Sequence, residues 1–295
     1  MGRSARIPYL WGSAHHRSDH MCLKRIFGFG VASLALIGVA EAQQVVSRGG
    51  SFVEAQLVAG SGHGGVERTA ALVMKVKPGW KTYWRQPGEA GVPPQFDWSG
   101  SENLASLEVG WPAPEVFDSF GYQTLGYGGR VVLPITLKAE RADAPISLAL
   151  NARLGVCKDI CVFEEIDLHT SLPAKGSSIH DGVIASGFDA MPMGPEEAGV
   201  ALMACRIAGA GSERAVSARF SMPAGSSVPY IVAEGPDASW FEPASVAAGE
   251  ADEITFEAVL RLPAEDAWVD RSGIRFTLLA EGLTAEINGC TPAAG

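Results

Sequence analysis

The stretch Ile146-Ser-Leu-Ala-Leu-Asn-Ala-Arg-Leu-Gly-Val-Cys157-Lys-Asp-Ile-Cys161 decides the fold, because its apolar residues alternate up to a pair of cysteines. The alternation resumes between Ile166 and Leu172. A period of two is typical of half-buried strands, and two such runs around a three-residue loop predict a β-hairpin. The loop would place Cys157 and Cys161 opposite each other, roughly 4.5–5.5 Å apart at Cα, which suits a disulfide. Asp159 would occupy a left-handed position in this loop.

Alternating runs of the same kind extend along the whole chain beyond this hairpin. They are Leu72–Val76, Val131–Leu137, Val216–Phe220, Ile254–Leu260 and Ile274–Leu278. Gly, Pro, Asp and Ser turns separate them, and few segments have a helical period. The pattern predicts an all-β protein with two β-sandwich domains, the first over residues 43–174 and the second over 197–295.

Residues 175–196 have a loop-like residue pattern in place of the alternating one, and they are interpreted as the linker between the two sandwiches. Ile179, Val183, Ile184 and Phe188 fit one face of a short helix, for which Ser178 is the candidate N-cap. The sequence Met191-Pro-Met-Gly-Pro would end that helix.

The N-terminal region has the features of an export signal. Lys24 and Arg25 precede an apolar run over 26–39, and Ala40-Glu41-Ala42 then fits a cleavage site. We therefore expect cleavage of the signal near Ala42 and a periplasmic location for the mature protein. The alternative is an uncleaved anchor, for which the run is short. Residues 1–42 are thus an upstream extension plus signal peptide. Three histidines lie among the first twenty residues, but a start at Met21 explains that segment better than a metal site.

The charge of the mature chain excludes several classes of function. Five of the 23 Lys and Arg and two of the 33 Asp and Glu lie in residues 1–42, so the remainder carries 18 positive and 31 negative side chains, a formal net charge of −13. Nucleic-acid binding and attachment to an anionic membrane both need a basic surface. We therefore expect no nucleic-acid partner, and no membrane span once the signal is removed.

Four cysteines remain after removal of Cys22 with the signal, an even number that suggests disulfides in an exported protein. Cys205 and Cys290 would form a structural disulfide that closes a long loop, worth roughly 4–5 kcal/mol in the chain-entropy model. The alternative is a second redox pair, although nothing around these two cysteines resembles the Cys157–Cys161 setting.

The Cys157–Cys161 pair allows several chemistries. A labile disulfide at a hairpin tip suits thiol–disulfide exchange, whereas a purely structural bridge across so short a loop would restrict the unfolded chain little. Two thiolates could also hold Cu(I), with His169 or a methionine helping. A zinc site would need two further ligands, and a thioredoxin-type site would need Cys-x-x-Cys in a βαβ setting. We expect no cofactor and no metal.

Residues 66–174 resemble the N-terminal periplasmic domain of the disulfide reductase DsbD and of the related ScsB proteins. The resemblance is carried, in order, by Pro78-Gly-Trp-Lys-Thr-Tyr83-Trp84, by Phe117-Asp-Ser-Phe-Gly-Tyr122, by Tyr127 with Arg130–Ile135, and by the cysteine pair. It implies immunoglobulin-like sandwiches with the active cysteines on a β-hairpin. ScsB-like members also resemble this chain in having two sandwich domains. The cysteines here are closer together than in DsbD.

The resemblance implies that Cys157 and Cys161 exchange electrons as catalytic residues. Their donor would be a membrane-embedded thiol reductase, here expected on a separate chain, and their acceptors would be periplasmic thioredoxin-like proteins. By position, Cys161 would be the cysteine joined to partners and Cys157 the resolving one.

The same resemblance assigns roles to residues around the pair. Phe120 or Tyr122 would be the cap that shields the disulfide, and Asp118 and Tyr83 would lie near the sulfurs. The competing interpretation of these aromatic residues is core or rim packing. Two other functions stay open, namely periplasmic Cu(I) handling by the same thiols, which copper tolerance among ScsB-like proteins makes plausible, and a non-catalytic interaction module stabilised by disulfides.

Overall fold

The computed structural model describes residues 47–49, 51–119, 121–236, 238–250 and 252–291. The predicted extension and signal peptide, the start at Met21 and the cleavage near Ala42 lie outside these residues, as does the predicted cap residue Phe120. Among the described residues no helix has the length and apolar character needed to cross a bilayer.

The first sandwich is built from antiparallel strands joined by turns and loops. Its strands are β1 (Ser47–Gly49), β2 (Val53–Ala59), β3 (Gly62–His63), β4 (Glu67–Val76), β5 (Lys81–Gly88), β6 (Gln95–Asp97), β7 (Leu104–Val109), β8 (Glu115–Ser119), β9 (Tyr122–Gly128), β10 (Arg130–Ala139), β11 (Ile146–Cys157), β12 (Cys161–Leu172) and β13 (Lys175–Gly176).

Two antiparallel sheets of these strands enclose one apolar core. The first has the order β1-β2-β4-β10-β7; the second has the order β12-β11-β5-β9-β8, and β6 also pairs with β11. Trp84, Leu133 and Leu150 are among the core side chains and are almost fully buried between the sheets. Their burial leaves the opposite face of the second sheet for the cysteine pair and its neighbours.

The second sandwich has a separate core. Its strands are β14 (Ala201–Ala208), β15 (Glu213–Ser221), β16 (Tyr230–Glu234), β17 (Trp240–Phe241), β18 (Ser245–Ala248), β19 (Glu253–Arg261), β20 (Arg275–Ala280) and β21 (Leu283–Asn288), with a 3-10 turn at Arg271–Gly273. The sheets run β14-β15-β19-β17, with β18 also on β19, and β16-β20-β21. Phe276 packs edge-to-face on Phe220 and Phe256, with ring centroids 5.4 and 5.5 Å apart. The prediction of an all-β fold with two immunoglobulin-like sandwiches is confirmed.

The segment between the sandwiches contains two short helices, α1 (Asp181–Asp189) and α2 (Pro195–Ala198). Ile184 of α1 is buried against Val58, Ala71 and Val132 of the first sandwich, whereas Ile179 precedes the helix and is exposed. Ser178 is not the N-cap as predicted. That position belongs to His180, and the Ser178 hydroxyl donates to the carbonyl of Ala59. The boundaries at 43–174, 175–196 and 197–295 stay a prediction.

Arg85 of β5 joins the two sandwiches. Its guanidinium donates three hydrogen bonds to the Glu234 carboxylate, at 2.8 Å for the shortest contact, and a fourth to Glu286 at 2.6 Å. All three side chains are mostly buried, and the two carboxylates raise the pKa of Arg85 despite its burial. Bidentate arginine–carboxylate pairs are among the stronger charged contacts in proteins.

The Cys205–Cys290 disulfide connects β14 to the end of β21. The two Cα atoms are 5.3 Å apart, Cys290 is fully buried, and the guanidinium of Arg271 donates to the carbonyl oxygens of both cysteines. This setting supports a structural disulfide.

We expect the double variant Cys205→Ala/Cys290→Ala to lose roughly 4.5 kcal/mol of unfolding free energy, since the bridge closes a long loop. Chemical denaturation measures the loss. Cys157→Ala/Cys161→Ala is the control, because its shorter ring should contribute only about 2 kcal/mol. Equal losses of unfolding free energy in the two double variants would contradict the structural role of the Cys205–Cys290 disulfide.

Candidate redox site

The β11–β12 hairpin brings the two candidate cysteines together. The strands pair without interruption from Ile146 opposite Leu172 up to Cys157 opposite Cys161. The Cα atoms of the two cysteines are 4.1 Å apart, slightly closer than predicted, and the sulfurs form a disulfide.

The three-residue loop beyond the disulfide differs from the prediction in one respect. Lys158 donates its backbone N–H to the carbonyl of Ile160 at 3.0 Å, which tightens the turn. Asp159 is therefore not left-handed; within the described chain, positive φ among non-glycine residues is found at Asn103 and Asp252.

The two sulfur-bearing residues differ in their access to solvent. Cys157 is 2 % exposed, because β11 lies between β12 and β5 and Lys81 of β5 is its register partner. Cys161 begins the edge strand β12 and is exposed. An incoming thiolate therefore reaches the sulfur of Cys161 more easily than that of Cys157.

Tyr83 of β5 contacts both sulfurs. Its hydroxyl donates to Cys157 Sγ at 3.0 Å and lies 3.8 Å from Cys161 Sγ. The side chain is 3 % exposed, and burial raises its pKa above the ordinary value of 10.0, so the hydroxyl stays protonated at neutral pH. A protonated hydroxyl at this distance can stabilise a thiolate on Cys157 by a charge-assisted hydrogen bond.

Two glycines make room for the Tyr83 ring. A Cβ at Gly155 of β11 would lie 3.2 Å from the ring, and a Cβ at Gly91, in the loop after β5, would lie 2.9 Å from it. Both contacts would be tighter than ordinary van der Waals packing. The ring is therefore held between β11 and the loop that follows β5, which fixes the direction of its hydroxyl.

Lys81 lies two residues before Tyr83 and is 8 % exposed. Its ammonium donates to Thr124 Oγ1 at 2.7 Å and lies 4.8 Å from the centre of the Phe117 ring. Burial lowers the pKa of Lys81, and the negative charge of Asp118 opposes that change. The site thus contains a buried cation that the sequence analysis did not single out.

The sequence of this region matches the family model described as "Thiol:disulfide interchange protein DsbD, N-terminal" over residues 54–173. Residues 54–173 are thus similar to the N-terminal domain of DsbD. Comparison with curated proteins gives no match.

A solved structure similar to this chain is the crystal structure of the N-terminal periplasmic domain of ScsB from Proteus mirabilis. It has a TM-score of 0.62 at 22 % identity and covers 85 % of this chain and 98 % of its own. At this identity the likeness shows the fold, and it extends beyond residues 54–173 into the second sandwich. The predicted resemblance is confirmed.

The other predicted site residues lie at different distances from the two sulfurs. Tyr83 touches the sulfurs. Asp118 is exposed and acts on Lys81 through its charge. Tyr122 begins β9 and is 54 % exposed, which places it on the surface of the β8–β9 hairpin. Phe120 lies outside the described residues.

Lys81 could have been found from the sequence around Tyr83. It alternates with Tyr83 in Trp80-Lys-Thr-Tyr83, and alternate residues of a strand share a face. A lysine in a strand is ordinarily interpreted as solvent-exposed. Only the register that places Lys81 opposite Cys157, and the β8–β9 hairpin that covers it, reveal its burial.

The distance between His169 and the cysteine pair argues against the predicted help of His169 in a Cu(I) site. His169 lies eight residues beyond Cys161 in β12, so the two are separated by roughly 26 Å along the strand. His169 therefore does not complete a site with the two thiols. Within the described residues, no group of three or more His, Cys, Asp or Glu side chains is arranged to hold a metal ion.

Proposed function

We propose that this protein carries reducing equivalents by thiol–disulfide exchange at Cys157 and Cys161. The observation that carries the proposal is a disulfide with one exposed and one buried cysteine, in which the buried sulfur accepts a hydrogen bond from Tyr83. The DsbD N-terminal family supports a role in thiol–disulfide interchange. The protein would act as a component of a protein-disulfide reductase system.

The exchange proceeds in two displacement steps. A thiolate of the electron donor attacks Cys161 Sγ, a mixed disulfide forms, and Cys157 leaves as a thiolate. The donor's second thiolate then attacks the mixed disulfide, which releases Cys161 as a thiolate and leaves the donor oxidised. Two electrons enter the pair, and both thiolates take up protons from solvent. Delivery to an acceptor is the reverse sequence, in which Cys161 attacks the acceptor's disulfide and Cys157 resolves it.

The roles of the two cysteines follow from the solvent exposure of each and from the stability of the thiolate that leaves. Cys161 is exposed, whereas Cys157 is enclosed by β5 and β12. The Tyr83 hydroxyl, 3.0 Å from Cys157 Sγ, stabilises the thiolate that must leave. A better leaving group accelerates attack on the other sulfur.

The partners and the compartment of this exchange are part of the proposal. The donor would be a membrane-embedded thiol reductase, and the acceptors would be thioredoxin-like proteins of the periplasm. The export signal predicted for residues 1–42 and the family whose model residues 54–173 match support this location. Cys205–Cys290 takes no part and acts as a structural disulfide.

The reduction potential of the Cys157–Cys161 pair tests the proposal. We expect it above about −300 mV, because structural disulfides of secreted proteins lie below that value. Equilibration of the full chain in dithiothreitol buffers, followed by thiol labelling and peptide mass spectrometry, gives the potential of each pair separately. Cys205–Cys290 is the internal control and should be the more reducing pair. A Cys157–Cys161 potential as low as that of Cys205–Cys290 would contradict the exchange function.

A further inference from the structure

The position of the Tyr83 hydroxyl depends on what holds strand β5 on each side of that residue. Before Tyr83, ladder pairs hold the strand, since Thr82 is a register partner of residues in both β11 and β9. Beyond Tyr83 the register with β9 is irregular up to Gly88, and the pairs with β11 end at Thr82. Residues 84–87 lie within this irregularity, so contacts other than regular ladder pairs must fix them.

Residues 84–87 are connected to the ring of Tyr83 through the loop that follows β5. A Cβ at Gly91 in that loop would lie 2.9 Å from the ring and would also collide with Pro87. Gly91 therefore packs against both, and the ring lies against a loop whose position depends on residues 84–87. A hydrogen bond weakens steeply as it loses alignment. A small displacement of the loop would therefore weaken the bond from the Tyr83 hydroxyl to Cys157 Sγ, which is 3.0 Å long.

Arg85 anchors residues 84–87 to both sandwiches. Its guanidinium lies 4.2 Å from the centre of the Trp84 ring, which is fully buried in the core of the first sandwich. The same guanidinium donates to Glu234 and Glu286 of the second sandwich, and the Arg85 side chain is 14 % exposed. Charge-assisted, bidentate contacts of this kind specify a geometry as well as adding energy.

Apolar contacts between the sandwiches are less directional than those of Arg85. Gln86 borders a cavity of about 350 Å³ that Tyr230 of the second sandwich also lines, so packing beside Gln86 is incomplete. Val232 of the second sandwich joins the core of the first, but the hydrophobic effect has no preferred direction. Of these contacts, those of Arg85 specify the position of residues 84–87 relative to the second sandwich.

We propose that the second sandwich, through Arg85, holds the Tyr83 hydroxyl in position on Cys157 Sγ, which makes Arg85 a positioning residue for the exchange reaction. This rests on the proposed function, in which that hydroxyl stabilises the leaving thiolate. Arg85 acts through residues 84–87 and the Tyr83 ring, and it transfers neither protons nor electrons. The second sandwich thereby acts on the chemistry of a disulfide that it does not contain.

Reduction of the oxidised full-length chain by dithiothreitol tests the proposal without a protein partner. One dithiothreitol thiolate attacks Cys161 Sγ, and Cys157 leaves as a thiolate. The second dithiothreitol thiolate then breaks the mixed disulfide, so two electrons pass to the protein, dithiothreitol becomes a cyclic disulfide, and the cysteines take up the two protons that it lost. Thiol labelling and peptide mass spectrometry follow Cys157–Cys161 and Cys205–Cys290 in the same sample. Thiolate absorbance against pH gives the pKa of the Cys157 thiol.

We expect Arg85→Met to slow the reduction of Cys157–Cys161 about fivefold and to raise the pKa of the Cys157 thiol, because a misaligned hydrogen bond stabilises the thiolate less. Glu234→Ala/Glu286→Ala removes the same anchor without changing the first sandwich and should slow reduction by a similar factor. Arg275→Met is the matched control. Arg275 also pairs with Glu286, at 3.5 Å, but belongs to the second sandwich, so its loss should leave the rate unchanged.

Combination with Tyr83→Phe separates positioning from stability. Once the hydroxyl is absent, Arg85→Met should slow reduction no further. Equal slowing in both backgrounds would overturn the proposal, and so would an unchanged or faster rate in Arg85→Met alone. An equal change at Cys205–Cys290 would also overturn it, because Arg85 would then serve only the stability of the whole chain.

Two further outcomes keep the test decisive. If Arg85→Met fails to fold, Glu234→Ala/Glu286→Ala combined with Tyr83→Phe gives the same decision. Failure of mixed-disulfide formation with thioredoxin-like proteins would instead contradict the proposed function, and it would leave the dithiothreitol result for Arg85 intact.

Discussion

Cys157→Ala should accumulate a mixed disulfide with a thioredoxin-like protein, and Cys161→Ala should form none. The difference follows from access, since Cys161 is exposed and Cys157 is enclosed between β12 and β5. Without Cys157 the mixed disulfide at Cys161 has no resolving thiol in this chain and persists. Without Cys161 the remaining thiol is buried beneath the hairpin turn. Non-reducing electrophoresis and mass spectrometry after incubation with an oxidised thioredoxin-like protein measure the adduct.

The double variant Cys205→Ala/Cys290→Ala is the control for this trapping experiment. It should exchange like the parent chain at temperatures where it remains folded, because its disulfide lies in the second sandwich. Adducts of equal yield from Cys157→Ala and Cys161→Ala would contradict the assignment of roles. Absence of an adduct from both would contradict exchange at this pair.

Tyr83→Phe should slow the reduction of the disulfide by a thiol about 10- to 100-fold, the factor that corresponds to about 1.5–3 kcal/mol for a hydrogen bond to a charged group. The substitution removes the hydroxyl that donates to Cys157 Sγ and keeps the ring in its place between β11 and the Gly91 loop. The thiol pKa of Cys157 in the reduced protein should rise, because the thiolate loses a donor. Stopped-flow exchange and thiolate absorbance measure the two effects.

Tyr127→Phe is the matched control for Tyr83→Phe. Tyr127 is also a buried tyrosine of the second sheet, but its hydroxyl donates to the carbonyl of Pro112 at 2.8 Å. Its loss should lower stability and leave the exchange rate unchanged. Equal slowing by both substitutions would show that Tyr83 acts through stability alone.

The pH dependence of exchange follows from the direction of the Tyr83 shift. Because burial raises its pKa above 10.0, the hydroxyl remains a donor throughout the range in which thiols ionise. The rate should therefore rise with pH as the attacking thiol ionises, and ionisation of Tyr83 should cause no fall below pH 10. Above that value the unfolded chain loses the tyrosine proton first, so the folding stability that Tyr83 contributes should decrease as pH rises.

Much of the fold could be predicted from the sequence, because alternation and turn residues are local signals. The run from Ile146 to Leu172 specified the hairpin, its register and the disulfide. The helix start was wrong at Ser178, since its hydroxyl bonds to the carbonyl of Ala59, a residue distant in sequence. The expected left-handed Asp159 was wrong, since positive φ among the described non-glycine residues occurs at Asn103 and Asp252, and the Lys158 N–H bonds to the Ile160 carbonyl instead.

The candidate site was predicted in part. The contact of Tyr83 with the sulfurs depended on the family resemblance, since the spacing of Tyr83 and Cys157 in sequence says nothing about their distance. The burial of Lys81 depends on strand order and on the β8–β9 hairpin, neither of which a local pattern encodes. The same holds for Arg85, whose carboxylate partners Glu234 and Glu286 belong to the second sandwich.

Strand β5 carries Lys81, Tyr83 and Arg85 at successive alternate positions, and each contacts a different part of the molecule: the β8–β9 hairpin, the sulfurs and the second sandwich. Seven ångströms or so separate each residue from the next along a strand. A displacement of β5 by one residue would therefore remove all three sets of contacts at once. The contacts of the first sandwich with the second, of the sheet with the β8–β9 hairpin and of Tyr83 with the sulfurs thus all depend on the register of one strand.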